Sequence, residues 1–218
     1  MHARVFAEFD RICRARGAGG DVLEIGAMPS RDSLLCLPSL TAARSRVGVN
    51  LAGDTRFDGF RIIGANANDL RCFADDSFDT VLANSVFEHD PLFWRSLREL
   101  RRVARPGAVI VFGVPGYTSR GPERHLKRLA RLPAVGAVVR RCAPSLLAST
   151  ATLGIHNHPG DYYRFSPQAV RDVLLGGLDE RDVSCILAPP RLLGSGIVPA
   201  ARPCDRAAGD AGKVPAEP

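Results

Sequence analysis

Short apolar runs, rich in valine and isoleucine, punctuate the first half of the chain: Asp21 to Gly26, Arg46 to Asn50, Phe60 to Gly64, Phe78 to Ala83 and Ala108 to Val114. Each closes on a small or polar residue, and each has the length of a strand. A parallel strand covered on both faces needs hydrophobicity that is nearly continuous instead of alternating. The pattern therefore predicts an α/β fold, an open and mostly parallel sheet with helices on both faces. Residues 1–20 predict an N-terminal amphipathic helix. Asp90 to Ala104 predicts another, with Asp90 able to cap, Pro91 in the first turn, and Phe93, Leu97, Leu100 and Ala104 on one face. Arg105-Pro106-Gly107 then predicts its stop and a turn into the next strand. Leu51 to Gly59 is short for a helical crossover and predicts a bare loop.

The period lapses between about 115 and 165, which predicts an insertion over the sheet. It reads as a basic helix around Pro122 to Leu132, an apolar stretch from Ala134 to Val139, and Ala143 to Thr152 without a clear period. Ser166-Pro167 predicts a helix through Leu175, ended by Gly176-Gly177, and a sixth strand follows from Asp182 to Ala188. From Gly194 onward proline, glycine, alanine and mixed charges predict a disordered tail over 194–218, leaving 21–193 as one domain.

Composition narrows the class. At 218 residues, 45% hydrophobic and 24% charged, the chain holds one full core. No apolar run approaches a membrane span, and the first residues lack a signal peptide's apolar core, so the expected location is cytoplasmic. Six cysteines without a CxxC pair argue against zinc, redox and disulfide frameworks, and no metal is expected. The net charge of +6 is almost all arginine, since Lys127 and Lys213 are the only lysines; it is a weak argument for nucleic acid. The charge is concentrated: Arg120, Arg124, Lys127, Arg128, Arg131, Arg140 and Arg141 stand against Glu123 alone. That segment fits a solvated helix, a dock for an anionic acceptor, or a membrane-surface patch serving a lipid-linked acceptor.

In an open parallel sheet, ligands bind beyond the carboxyl ends of the strands. The residues there form an ordered series. Glu24-Ile25-Gly26-Ala27-Met28-Pro29-Ser30 follows the first strand, with the Ser30 region expected to open a helix, and Val47-Gly48-Val49-Asn50 ends the second, 24 residues beyond Gly26. Asn66-Ala67-Asn68-Asp69-Leu70 follows the third, Asn84-Ser85 and Phe87-Glu88-His89 follow the fourth, and Arg105-Pro106-Gly107 precedes the fifth.

This series resembles the class I S-adenosylmethionine-dependent methyltransferases, in particular the small-molecule type-11-like domains with an "EH" after strand four and an "RPGG"-like turn before strand five. The resemblance covers about Asp21 to Val114 and Tyr162 to Pro167. It implies a Rossmann-like sheet of seven strands with the last antiparallel, a seventh strand not being legible here. It also implies S-adenosylmethionine as cofactor, with Glu24, Gly26 and Ala27 at its methionine end, Asn50 on the ribose, Asn66 and Ala67 at adenine, and Asn84 and Ser85 near the transferable methyl. Met28 and Ser30 replace motif glycines, Asn50 an acid, and Asn66 an aspartate; an amide retains one acceptor and adds donors.

For chemistry at an acceptor hydroxyl or amine, His89 is the first candidate base. His156, His158, Asp161 and Tyr163 are the candidate acceptor-binding residues, though the histidines and Asp161 also fit a rigid loop and Tyr163 fits plain packing. The expected activity is methyl transfer to an oxygen or nitrogen of a small metabolite or sugar-containing molecule. The alternatives are a catalytically inactive interaction module and a nicotinamide-dependent oxidoreductase, for which only the first glycine of a GxGxxG turn is present. Neither acceptor identity nor oligomeric state is legible.

Overall fold

The computed structural model describes residues 1–117, 132–142, 160–187 and 190–200. Its centre is an eight-stranded sheet: β1 (Asp21–Ile25), β2 (Ser45–Asn50), β3 (Thr55–Phe57), β4 (Phe60–Gly64), β5 (Phe78–Asn84), β6 (Ala104–Pro115), β7 (Asp179–Ile186) and β8 (Arg191–Ile197). The order is β3-β4-β2-β1-β5-β6-β8-β7. From β4 to β6 every pairing is parallel, while β3 on β4, β8 on β6 and β7 on β8 are antiparallel. The chain moves outward from β1 through β2 to β4, then returns to lay β5 on the other side of β1. The carboxyl ends of β1 and β5 thus flank the switch point of the sheet.

Two apolar layers hold the sheet. On one face Leu23, Ile25, Val81, Ala83, Ile110 and Phe112 pack against Leu97, Leu100 and Val103 of helix α2 (Phe93–Val103) and against Val170 and Leu174. On the other, Val22, Ile62, Leu82, Val109 and Val111 meet Val5, Phe9, Ile12 and Cys13 of helix α1 (Ala3–Ala15), whose first turn His2 caps by accepting from the Arg4 amide. Burial of continuous apolar strands between these layers is the main driving force. Helix α3 spans Pro133–Cys142, and α4, Pro167–Ala169, runs on into a π-helical turn over Val170–Leu174.

Several expectations are corrected. Helix α2 starts at Phe93 instead of Asp90, because Asp90 stands outside it and accepts from the Leu92 amide (2.8 Å) and the Ser96 hydroxyl (2.6 Å). Arg105-Pro106-Gly107 does not separate helix from strand: β6 begins at Ala104 and carries these residues across a register shift opposite β5. The loop expected at 51–59 contains β3, folded onto β4 through Asp58-Gly59, both at positive φ (45° and 81°), the backbone a two-residue hairpin turn demands. In place of a helix after Ser30 there are 3-10 turns at Leu34–Cys36 and Pro38–Leu40. The sixth strand is β7, beginning three residues earlier than expected, and its first four residues are exposed.

The tail does not begin at Gly194. β8 runs to Ile197, pairs with β6 from Val109 to Pro115, and is buried over Leu192–Gly196. Its glycines are packing choices: a Cβ at Gly194 would sit 2.8 Å from Phe112 and 2.9 Å from Val170. This is the seventh strand that the family resemblance implied, and β3 is an addition at the edge. Residues 201–218, most of the insertion, and with it the expected basic helix, lie outside the described residues. No helix among the described residues is long and apolar enough to cross a membrane.

Candidate active site

The turn after β1 is fastened from two sides. The amides of Gly26 and Ala27 donate to Val49 O (2.8 and 3.1 Å), and Gly26 has φ +79° with the Val86 side chain 2.7 Å from where a Cβ would stand. Glu24, expected along the methionine end of the cofactor, is 4% exposed and directs its carboxylate into the chain. It accepts from the Ser33 hydroxyl and from the Leu34 (3.1 Å) and Leu35 (3.3 Å) amides. Burial pushes this carboxyl up to about 7, against those three bonds. Glu24 thereby curls residues 33–35 back over β1, which is why no helix starts at Ser30.

Asn50, at the end of β2, donates to Ala27 O (2.7 Å) and approaches Met28 Sδ (3.4 Å), while its Oδ1 accepts from the Ala52 amide (3.0 Å). An amide oxygen has a second lone pair, so one acceptor position at the end of β2 is left. Beyond β4, Asn66 Oδ1 accepts from the amide and the side chain of Asn68 (2.9 and 3.2 Å); Ala67 packs on the core edge. Asn68 also donates to Asp90 Oδ1 (3.0 Å), tying the end of β4 to the entry of α2. Its own Oδ1 is buried without a partner.

The end of β5 holds the same kind of group. Asn84 Oδ1 is buried without a partner, 2.5 Å from where Gly113 would carry a Cβ. Ser85 follows at φ +56°, a backbone that costs a non-glycine residue free energy and that clusters at functional sites. Its amide bonds Gly113 O (2.9 Å).

Beside this lies a buried polar cluster. His89 Nδ1 is hydrogen-bonded to Gly160 O, and its Nε2 is 4.0 Å from Glu88 Oε1. A carbonyl can only accept, so Nδ1 carries the proton and Nε2 is the basic nitrogen of the neutral ring. Glu88 is fully buried: Arg191 Nη1 reaches Oε1 at 3.3 Å and Oε2 has no partner. Burial raises the Glu88 carboxyl, and a hydrogen bond from its own backbone and the Arg191 charge oppose the rise. The Asp161 side chain is buried in a two-pronged pair with Arg164 (2.5 Å for one prong), so it anchors the 160–165 loop. Tyr163 donates its hydroxyl to Pro91 O (2.9 Å) and packs edge-on against Phe93. His156 and His158 lie outside the described residues. Sequence reasoning missed Glu88, Arg164, Arg191 and Asn68 as members of these clusters; only Glu88 carried a signal, its place beside His89.

The residues fit the cofactor expected from the strand ends. S-adenosylmethionine brings an adenine amino group and a methionyl ammonium, both donors, and two buried amide oxygens at these strand ends lack donors. A pyrophosphate of a dinucleotide would instead need the amino end of a helix after Gly26; the described residues place a three-residue 3-10 turn there.

Comparison with known proteins agrees. A family model described as a methyltransferase domain matches residues 36–112. No curated protein sequence matches. Among solved structures, the 1,6-didemethyltoxoflavin-N1-methyltransferase of Burkholderia thailandensis, crystallised with 1,6-didemethyltoxoflavin and S-adenosylhomocysteine, aligns at TM-score 0.59 and 16% identity over 89% of this chain and 78% of that one. The N-methyltransferase NodS of Bradyrhizobium japonicum, in complex with S-adenosylhomocysteine, aligns at 0.54 and 14% over 90% and 86%. At such identities the structures speak for the fold, and the family model matches the segment from the β1–β2 connection into β6. Residues 36–112 are thus similar to a methyltransferase domain, set in a fold shared with methyltransferases crystallised with S-adenosylhomocysteine.

Proposed function

We propose that the chain methylates an oxygen or nitrogen of a small metabolite or sugar-containing acceptor held between the ends of β5 and β6 and the 160–165 loop. The observation that carries this reading is His89, fixed with Nε2 as its basic nitrogen beside the buried Glu88. S-adenosylmethionine, when bound, supplies a methyl group already activated by its sulfonium, so positioning does much of the work. Asn50, Asn68 and Asn84 would hold the cofactor by their amide oxygens, and Gly26 and Ala27 by backbone approach. His89 Nε2 would take the acceptor's proton, and Glu88 Oε1 would steady the imidazolium that results. Tyr163 and Phe93 would wall the acceptor.

The test pairs calorimetry with kinetics on a panel of hydroxyl and amine acceptors. Wild type binds S-adenosylmethionine, Asn50→Ala weakens that binding, and His89→Gln lowers kcat about a hundredfold while leaving cofactor affinity unchanged. A His89→Gln enzyme with full kcat on its best acceptor would remove the base from this reading.

A further inference from the structure

We infer that α3 seats the chain on an anionic lipid surface. This inference rests on the reading above and gives its acceptor a class, an amphiphile presented at a membrane. Leu132, Val135 and Val138 are 55%, 38% and 60% exposed. Spaced by three along the helix and its leading residue, they form one apolar stripe, and Cys142, four past Val138, is exposed as well. Single exposed aliphatic residues are ordinary. A stripe of them on a ten-residue helix is what an interfacial helix carries when cations flank it.

The charge supplies the rest and selects the occupant. Between 120 and 141 the sequence counts seven basic residues against one acid, and Arg141, in the last turn of α3, is exposed. A second copy of this chain would bring the same surplus, out of a total of +6, and be repelled. Anionic headgroups attract it, and the acyl boundary beneath them takes valine and leucine side chains. Position links the surface to the chemistry. The segment containing α3 leaves the sheet after Gly116, which is bridged to Phe165, and returns at Gly160, whose carbonyl holds His89. Both ends of the segment that carries α3 are therefore anchored beside the proposed acceptor site.

The full chain is floated with vesicles of phosphatidylcholine alone and with phosphatidylglycerol added, at low and high salt. Binding is expected only to the anionic vesicles and weakens with salt. Val135→Asp with Val138→Asp, and separately Arg140→Glu with Arg141→Glu, each reduce partitioning by about tenfold or more, with circular dichroism unchanged. Absence of binding to anionic vesicles at low salt overturns the inference. So does binding that the valine variants leave intact, which is adhesion by charge alone, or sedimentation showing a dimer that those variants dissolve. Calorimetry with S-adenosylmethionine on the same preparations separates the two ideas: cofactor binding without vesicle binding removes the lipid surface and leaves the methyl transfer.

Discussion

Burial lifts the Glu24 carboxyl from 4.5 to about 7, which makes this residue a source of pH-dependent stability. The folded pKa lies above the unfolded one, so the folded chain holds a proton that the unfolded chain has released. The stabilisation is complete below about pH 4.5 and is lost as the pH rises through about 7. Glu24→Gln is neutral throughout. Relative to wild type it should gain up to about 3 kcal/mol between pH 5 and 8, read from paired thermal melts; parallel melting curves across that range would show that Glu24 is not buried as described. Glu88 shifts in the same direction for the same reason. Asp21 shifts the other way: Arg44 and Ser45 hold its carboxyl well below the usual range, so its contribution disappears only under acid conditions. Ser85 offers a test of strain. Ser85→Gly relieves the φ of +56° and should raise stability by about 1 kcal/mol while lowering kcat, since the relaxed backbone no longer fixes the end of β5.

At the scale of elements, β8 and the β3–β4 hairpin make the clearest predictions. Gly194→Val places a side chain where Phe112 and Val170 already stand, and should cost about 3 kcal/mol or prevent folding. A melting temperature equal to wild type would put residue 194 outside the sheet. Gly59→Ala, at φ +81° in the hairpin turn, should cost only about 1 kcal/mol, because β3 is three residues at an edge. These two elements also mark where the sequence falls silent. Buried parallel strands such as β1 and β5 are legible because both faces demand apolar side chains. β8 hides because close packing chose Gly194, Ser195 and Gly196, which read as a tail. β3 hides because an edge strand keeps Thr55 and Arg56 in water, although Asp58-Gly59 between two phenylalanines was a hairpin signal.

Across the whole molecule, the sequence locates the strand ends where ligands are expected better than the partners that hold those ends. Gly26, Asn50, Asn66, Asn84 and His89 are found by counting from strand ends, because a parallel sheet fixes its carboxyl edge. The partners that orient them come from far along the chain. Arg191 meets Glu88 across 103 residues and Gly160 meets His89 across 71, and no local pattern announces either.

That long reach has a consequence for assembly. β7 pairs with β8, and β8 lies between it and β6, so β7 finds its place in the sheet only after the later strand has formed. On a ribosome the left half of the sheet, β1 through β6, can collect as it emerges, whereas the right half waits for residues 191–197. Arg191 arrives with that last strand, so Glu88 gains its arginine, and the end of β5 its finished charge balance, in the closing step of folding.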